Sequence, residues 1–337
     1  MFNSAEMTAA PIRVSPIRVT VLMPLRDDWT SAVELIRRLD GVLGTYPCVL
    51  NVLLVDDGSI QPCDPADFQL HLAVVRSIRV LRLRRNLGHQ RAISIGIVHA
   101  SRSIICDAVL VMDADGEDTP EGALQLLRDF SENHHGTNAV FAERSHRTES
   151  LVFRLFYKLY KIMHRILTGI SVRVGNFSIF PSDYLSTLVV MSELWNHYAA
   201  AVFRSGLHFT TTPIPRGHRI AGTSRMNFVS LVTHGMSAIS VFGDAVGVRL
   251  LIACAAGSVV AALGVLAVVC IRLFTDRAVP GWATYTIGTL IIILVQFITM
   301  AASFTFTMLS NRVNLSFVPL RDCELFVLED REVYRVD

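Results

Sequence analysis

Short apolar runs alternate along the first 145 residues with stretches in which apolar side chains recur every three or four positions. Ile17 to Met23 is a β-branched and apolar run that ends at Pro24, and Ser31 to Leu43 then aligns Val33, Ile36, Leu39 and Leu43 at helical spacing. Val49 to Val55 is a second apolar run, closed by Asp56, Asp57 and Gly58, and Ile78 to Leu83 is a third, closed by Arg84, Arg85 and Asn86. A helix is expected from about Gly88 to Ser101, then a fourth strand, Ala108 to Met112, that stops at Asp113, Ala114 and Asp115. A helix over Pro120 to Glu132 and a strand over Asn138 to Ala142 complete the alternation. Strand and helix units in this order predict an α/β domain, a mostly parallel Rossmann-like sheet with helices on both faces. Ligands of such sheets bind beyond the carboxyl ends of the strands, so the acidic residues after the second and fourth strands should face one crevice.

The pattern changes in the last third. Leu250 to Ile271 carries no charge between Arg249 and Arg272, and about 20 apolar residues cross a bilayer core as helix. A second uncharged stretch lies between Arg277 and Arg312, with Trp282 and Tyr285 at one end, where amphipathic rings favour the membrane interface. The composition agrees: 51% hydrophobic, 18% charged and a mean hydropathy of +0.44. The alternative is a pair of buried helices in a soluble protein. Pro280 and Gly281 in the connector predict a helical hairpin that returns the chain to its starting side. Leu151 to Leu167 sets Leu151, Leu155, Leu159, Ile162 and Ile166 beside a basic stripe of Arg154, Lys158, Lys161 and Arg165. That pattern fits a helix at an anionic membrane surface, or a helix packed on its own domain with a solvated basic face. The expected organisation is a flexible N-terminus (1–16), a catalytic domain (17–226) that includes the amphipathic helix (151–167), an interfacial connector helix (227–246), two spans (about 250–271 and 284–308, within 247–310) and a cytoplasmic tail (311–337).

Charge and cysteine usage exclude several classes. A net charge of +2 gives no footprint for nucleic acid, and the eleven histidines form no HxxxH or HExxH pattern. Six scattered cysteines without a CxxC pair read as reduced thiols, and Met1 to Ser15 contains no signal-peptide core. The first domain is therefore expected in the cytoplasm, on an integral, multi-pass protein of a bacterial inner membrane.

Candidate chemistry gathers at the strand ends. Asp113 and Asp115, with Glu117 two residues on, are hard oxygen ligands that suit Mg²⁺ or Mn²⁺ bridging a diphosphate. Asp56 and Asp57 can accept hydrogen bonds from a nucleobase or ribose, and with Pro24, Arg26 and Asp28 they outline a nucleoside pocket.

The ordered segments VTVLMPLRDD, VLLVDDGS, LRRNLGHQRAISIG, VLVMDADGEDTPE, GNFSIF and RIAGTSRMN resemble inverting glycosyltransferases of family 2. With the paired spans, the chain is similar to the polyprenyl-phosphate and dolichyl-phosphate sugar transferases. The resemblance implies an A-type glycosyltransferase fold, with Asp113, Asp115 and Glu117 holding Mg²⁺ or Mn²⁺ and Pro24, Asp28 and Asp56 around the nucleoside. It further implies that Arg85, Asn86, Gly88, Gln90 and Ala114 lie near the donor, and that Arg219, Ser224 and Arg225 belong to a loop closing over donor and acceptor phosphates; Arg144, after the fifth strand, and Asn176 are, with Arg225, candidate ligands for the acceptor phosphate, Arg144 having an ordinary surface arginine as its alternative. The implied partners are a nucleotide-diphosphate sugar, UDP-linked in preference to GDP-linked, a polyprenyl phosphate and the membrane; a homo-oligomer is left open.

Three departures stand out. Arg26 and Asp27 replace the usual aromatic and acidic pair after Pro24, and DADLQDPPE becomes DADGEDTPE, with Gly116 and the charged Glu117. Asn176 stands where many relatives carry an aspartate proposed as a base. An amide takes up no proton at neutral pH, and the departure favours a lipid phosphate over a hydroxyl as acceptor. No QxxRW motif occurs, which argues against a processive polysaccharide synthase. A transferase acting on another lipid hydroxyl and a non-catalytic membrane scaffold are the competing readings.

Overall fold

A computed structural model of the chain describes residues 16–144, 162–169, 174–222, 228–275, 281–313 and 317–336. The described residues form two compact units, one lying within 1–147, 173–225 and 318–337, the other within 148–172 and 226–317.

The first unit is built on one sheet. Its elements are β1 (Ile17–Leu25), α1 (Trp29–Leu43), β2 (Cys48–Asp56), β3 (Val75–Leu83), α2 (His89–Ser103), β4 (Ala108–Val111), α3 (Pro120–Arg128) and β5 (Ala139–Arg144). After helical residues 162–168 (α4), which belong to the second unit, come β6 (Val174–Pro181), α5 (Tyr184–Leu188), α6 (Tyr198–Arg204) and β7 (Phe209–Ile214). The second unit then contributes α7 (Phe228–Ser240), α8 (Gly243–Phe274) and α9 (Trp282–Val313), and the chain ends in the first unit with α10 (Pro319–Asp322) and β8 (Val327–Arg335).

The strand order is β7-β5-β6-β4-β1-β2-β3-β8. β1 pairs in parallel with both β2 and β4, and β2 with β3, whereas β6 and β8 run antiparallel to their neighbours. The strand order reverses at β1, which opens a crevice beyond its carboxyl end. Seven consecutive residues of β1, Val19 to Leu25, are buried, as expected of a strand covered on both faces. Leu35, Ile36, Leu39 and Leu43 of α1 pack into the same core. Asp40 on this helix is also buried, and its carboxylate accepts the backbone N–H groups of Ala73, Val74 and Val75 at 2.8 to 3.0 Å, fixing the entry to β3. Thr119 caps α3 by accepting from Gly122 N at 3.1 Å, with Pro120 in the first turn. Such a cap contributes about 1 kcal/mol.

Beyond the second apolar stretch the structure departs from the expected tail over 311–337. Residues 327–335 form β8, paired antiparallel with β3 and tied to it by Arg79, whose Nη2 lies 2.6 Å from Asp330 Oδ2. The strand is charged because it is an edge, with its side chains largely in solvent. The connector expected over 227–246 is α7 followed by a turn at 241–242, so α8 begins at Gly243. The amphipathic stretch 151–167 lies outside the described residues up to position 161.

Residues 243–274 and 282–310 are helical and apolar enough to cross a membrane, with mean hydropathies of 2.5 and 2.2. They pack antiparallel. A Cβ at Gly247 would lie 2.5 Å from Met308, one at Gly257 2.6 Å from Phe297, and one at Gly264 3.2 Å from Leu290. The buried positions of α8, Gly247, Cys254, Ala261 and Val268, recur every seventh residue. A seam of small residues at this period lets two helices approach closely with a left-handed crossing.

Candidate active site

The carboxyl ends of β1 and β2 are adjacent, Leu25 standing opposite Asp56. The β1 end is shaped by Asp27, at φ 54°, whose backbone N donates to Ser59 Oγ at 2.8 Å and whose Oδ1 accepts from Ile60 N at 2.7 Å. A left-handed conformation costs a non-glycine residue about 1 to 2 kcal/mol, which these two bonds offset. Asp56 is fully buried; Oδ1 accepts from Ser59 N at 2.7 Å, and Oδ2 lies 3.6 Å from Arg82 Nε. Asp57 turns the other way, taking Leu87 N at 2.7 Å on Oδ1 and Gly88 N at 2.9 Å on Oδ2. Burial still raises its pKa, against these bonds and the nearby Arg26 and His89. The contact is possible because residue 58 is glycine: at φ +69°, a Cβ there would sit 2.6 Å from Asn86 N.

The acidic turn after β4 is folded by its own side chains. Asp118 Oδ2 accepts from Asp113 N, and Asp115 Oδ1 from Glu117 N, both at 2.9 Å. Across the turn lies the loop that follows β7. Arg219 Nη2 is 2.6 Å from Asp115 Oδ2, its Nε is 3.8 Å from Glu117 Oε1, and Arg216 Nε donates to Glu117 Oε2 at 3.0 Å. The backbones are joined as well, Gly217 N to Glu117 O and Ile220 N to Asp115 O, each at 2.9 Å. Burial, with the neighbouring Asp113 carboxylate, raises the pKa of Asp115 despite the amide and guanidinium it accepts.

A chain of polar contacts leads to Asp113 from the opposite side. Tyr198 N, an obligate donor, bonds Gln90 Oε1 at 2.8 Å; this turns Gln90 Nε2 toward Asn176 Oδ1, at 3.1 Å. The amide nitrogen of Asn176 then faces His89 Nε2 at 3.0 Å, and that nitrogen is 3.2 Å from Asp113 Oδ1. Asn176 is thus held by the helix start at His89 and Gln90.

The structure brings the expected Asp56, Asp57 and Gly88 into one cluster, and Asp113, Asp115, Glu117 and Arg219 into another. Gln90 and Asn176 meet between the elements that carry them. Pro24 and Ala114 are buried and shape the floor, while Arg26, Arg85 and Asn86 are exposed at the rim. Asp28 precedes α1, and a Cβ on Gly222 would come within 4.0 Å of its Oδ1. Arg144 ends β5 opposite Ile214, its side chain being outside the described residues, as are Ser224 and Arg225. Among the described residues no three side chains of His, Cys, Asp or Glu converge closely enough to hold a metal ion as they stand. Asp115 and Glu117 instead meet the two arginines. The donor set of Asp113 and Asp115 is nonetheless hard oxygen within one short turn, which fits a divalent cation.

Three participants lacked a sequence signal of their own. His89 and Asp118 sat inside segments already singled out, with nothing in the spacing to give them a role. Arg216 is 99 residues from its partner, and nothing in the local pattern pairs the two.

The chain is 25% identical over 276 residues to the uncharacterized glycosyltransferase YkcC of Bacillus subtilis, covering 80% of this chain and 81% of that protein. It is 25% identical over 228 residues to the undecaprenyl-phosphate 4-deoxy-4-formamido-L-arabinose transferase of Salmonella paratyphi A, covering 66% of each. Among solved structures, glucosyl-3-phosphoglycerate synthase of Mycobacterium tuberculosis, in complex with Mn²⁺, UDP-glucose and phosphoglyceric acid, superposes with a TM-score of 0.48 at 14% identity, covering 68% of this chain and 80% of that one. The profile of glycosyl transferase family 2 matches residues 20–189, from the start of β1 to beyond the Asn176 strand and so across both acidic strand ends. That match takes in half of the sequence, including β2, β3, β4 and most of β1, and the chain belongs to glycosyl transferase family 2.

Proposed function

We propose that this protein transfers a sugar, with inversion, from a nucleotide-diphosphate sugar to a polyprenyl phosphate at the cytoplasmic face of a membrane. The observation that carries the reading is the meeting of the acidic turn, Asp113 to Asp118, with Arg216 and Arg219 at the carboxyl edge of the sheet. Carboxylates suited to a divalent cation beside guanidinium groups suited to phosphate make a site for a diphosphate leaving group. The resemblance to an undecaprenyl-phosphate sugar transferase supports the lipid acceptor.

In this reading Asp56 binds the nucleoside, the Gly88 turn approaches the diphosphate, and Arg219 stabilises the charge that develops as the diphosphate departs. Ser224, Arg225 and Arg144 are the proposed partners of the acceptor phosphate. Asp113 and Asp115 would hold Mg²⁺ or Mn²⁺, which when bound supplies further neutralisation of the leaving group. Asn176, oriented by Gln90, holds the wall of the site and moves no proton. None is needed, because a phosphate monoester with a second pKa of about 6 is largely dianionic at pH 7. Its oxygen attacks the anomeric carbon from the face opposite the departing diphosphate, giving a polyprenyl-phosphate sugar and a nucleoside diphosphate.

The chain path supports this membrane placement: β3 precedes α8 and α9, β8 follows them, and the two strands pair, as two crossings that return the chain to the side it left would allow. All six cysteines are free, as in a reducing compartment. The test is a membrane-fraction assay with radiolabelled nucleotide sugars, UDP-linked first, and added undecaprenyl phosphate. Label entering the organic phase should require the lipid phosphate and vanish with EDTA. Label on a different lipid class would overturn the acceptor assignment.

A further inference from the structure

Two departures from the family's acidic motif, Gly116 and Glu117, meet the same loop. Gly116 is at φ +88°, and a Cβ there would lie 2.6 Å from Ile220 Cγ1, so glycine admits the Ile220 side chain. Gly217 answers it, since a Cβ at that position would fall 2.4 Å from Thr119 Cγ2 and 2.8 Å from Gly116 O. With both side chains missing, the backbones close to the bonds from Gly217 N to Glu117 O and from Ile220 N to Asp115 O. Glu117 directs its carboxylate to Arg216. Its two oxygens thus face two arginines, Oε2 meeting Arg216 Nε at 3.0 Å and Oε1 lying 3.8 Å from Arg219 Nε.

We propose that Glu117 is a positioning residue: through Arg216 it latches the loop of residues 215–222 onto the acidic turn, while Asp113 and Asp115 supply the protein's metal ligands. The inference deepens the proposed transfer reaction and rests on it for the role of the metal. In this arrangement the charge gained at Glu117 and the side chain given up at Gly116 are two halves of one contact. The latch keeps Arg219, three residues beyond Arg216, on Asp115. The loop is thereby held over the site before any donor binds.

The test uses the full-length protein in nanodiscs. Amide hydrogen exchange at Gly217 and Ile220 is read in wild type, Glu117→Gln, Arg216→Gln and the double variant, and Mn²⁺ binding is measured by electron paramagnetic resonance. Each single variant should speed exchange about tenfold or more, through loss of one charge-assisted contact. The double variant should exchange no faster than the singles. A further variant, Glu117→Ala, which removes the side-chain oxygens altogether, should weaken Mn²⁺ binding by less than about threefold, which is under one lost ligand's worth. A larger loss of Mn²⁺ affinity makes Glu117 a ligand and overturns the proposal, as does exchange that is unchanged or additive between the two substitutions. Wild-type protein that binds no Mn²⁺ would instead refute the metal-assisted transfer reading, with the exchange data still deciding the latch.

Discussion

Replacing Gly58 with alanine should separate the two loops that build the donor side of the crevice. The added methyl would stand 2.6 Å from Asn86 N, 2.7 Å from Arg85 C and 3.2 Å from Arg85 Cα, all backbone atoms that no rotamer change can move aside. An ordinary carbon contact needs about 3.5 Å, so residues 85–86 would retreat by about 0.9 Å. The neighbouring bonds from Leu87 N and Gly88 N to Asp57, now 2.7 and 2.9 Å, would stretch toward or past the limit for a hydrogen bond. Holding alanine at positive φ adds about 1 to 2 kcal/mol, and losing one charge-assisted bond about 1.5 to 3 kcal/mol, for a total of about 3 to 5 kcal/mol. In a domain of this size that is a fall in Tm of about 10 °C. Thermal unfolding of the purified protein would read the stability, and calorimetric titration with the nucleotide sugar found by the labelling assay would read the site. Donor affinity should drop at least about tenfold, because the loop carrying Arg85, Asn86 and Gly88 is the part displaced. A variant that keeps its Tm within about 2 °C and its Kd within about twofold would refute the close approach.

Further outcomes follow from single contacts. Asp115→Asn should lower turnover by about a hundredfold or more while leaving membrane insertion and Tm intact, measured by the lipid-labelling assay and carbonate extraction. Gln90→Leu leaves the buried Tyr198 N–H without its acceptor and frees Asn176, which should cost about 1 to 3 kcal/mol in denaturant unfolding of the catalytic unit. Burial pushes the Cys48 and Cys63 thiols up to about 11 and Cys323 up to about 12, so at pH 8 only about one in a thousand or fewer is thiolate. Iodoacetamide at that pH should leave all three unlabelled in the folded protein and modify them after denaturation, as read by peptide mass spectrometry.

What was legible in the sequence was what local pattern encodes. β1 to β5 were found because each is an apolar run closed by polar residues, and α8 and α9 because they lack charges over bilayer length. β7, FTTTPI, has three consecutive half-exposed or exposed threonines before a proline and carries no apolar run. β8, VLEDREVYR, is an edge strand whose partner lies about 250 residues earlier, and its charges suit solvent better than a core. Both owe their existence to pairing across the sheet, which leaves no trace in local periodicity. The GNFSIF segment reads in the sequence as a motif rather than as a strand, although as β6 it supplies the antiparallel link between β4 and β5.

The acidic residues show why position after a strand does not by itself assign a role. Asp27, Asp57 and Asp118 look on paper as suited to a ligand as Asp56, Asp113 and Asp115 do. Each of the first three accepts backbone amides from a neighbouring segment, or from its own turn, and so holds a loop in place. A carboxylate that gathers backbone N–H groups at a buried strand end resists displacement, because its removal leaves those donors without partners. Guanidinium partners are different: Arg219 can leave Asp115 for a phosphate without orphaning any backbone group, since both bind through exchangeable ionic contacts. Asp57 and Asp118, held by backbone amides, therefore build the crevice, whereas Asp115, whose Oδ1 serves the turn, keeps Oδ2 on Arg219, a cation that a substrate's phosphate can draw away.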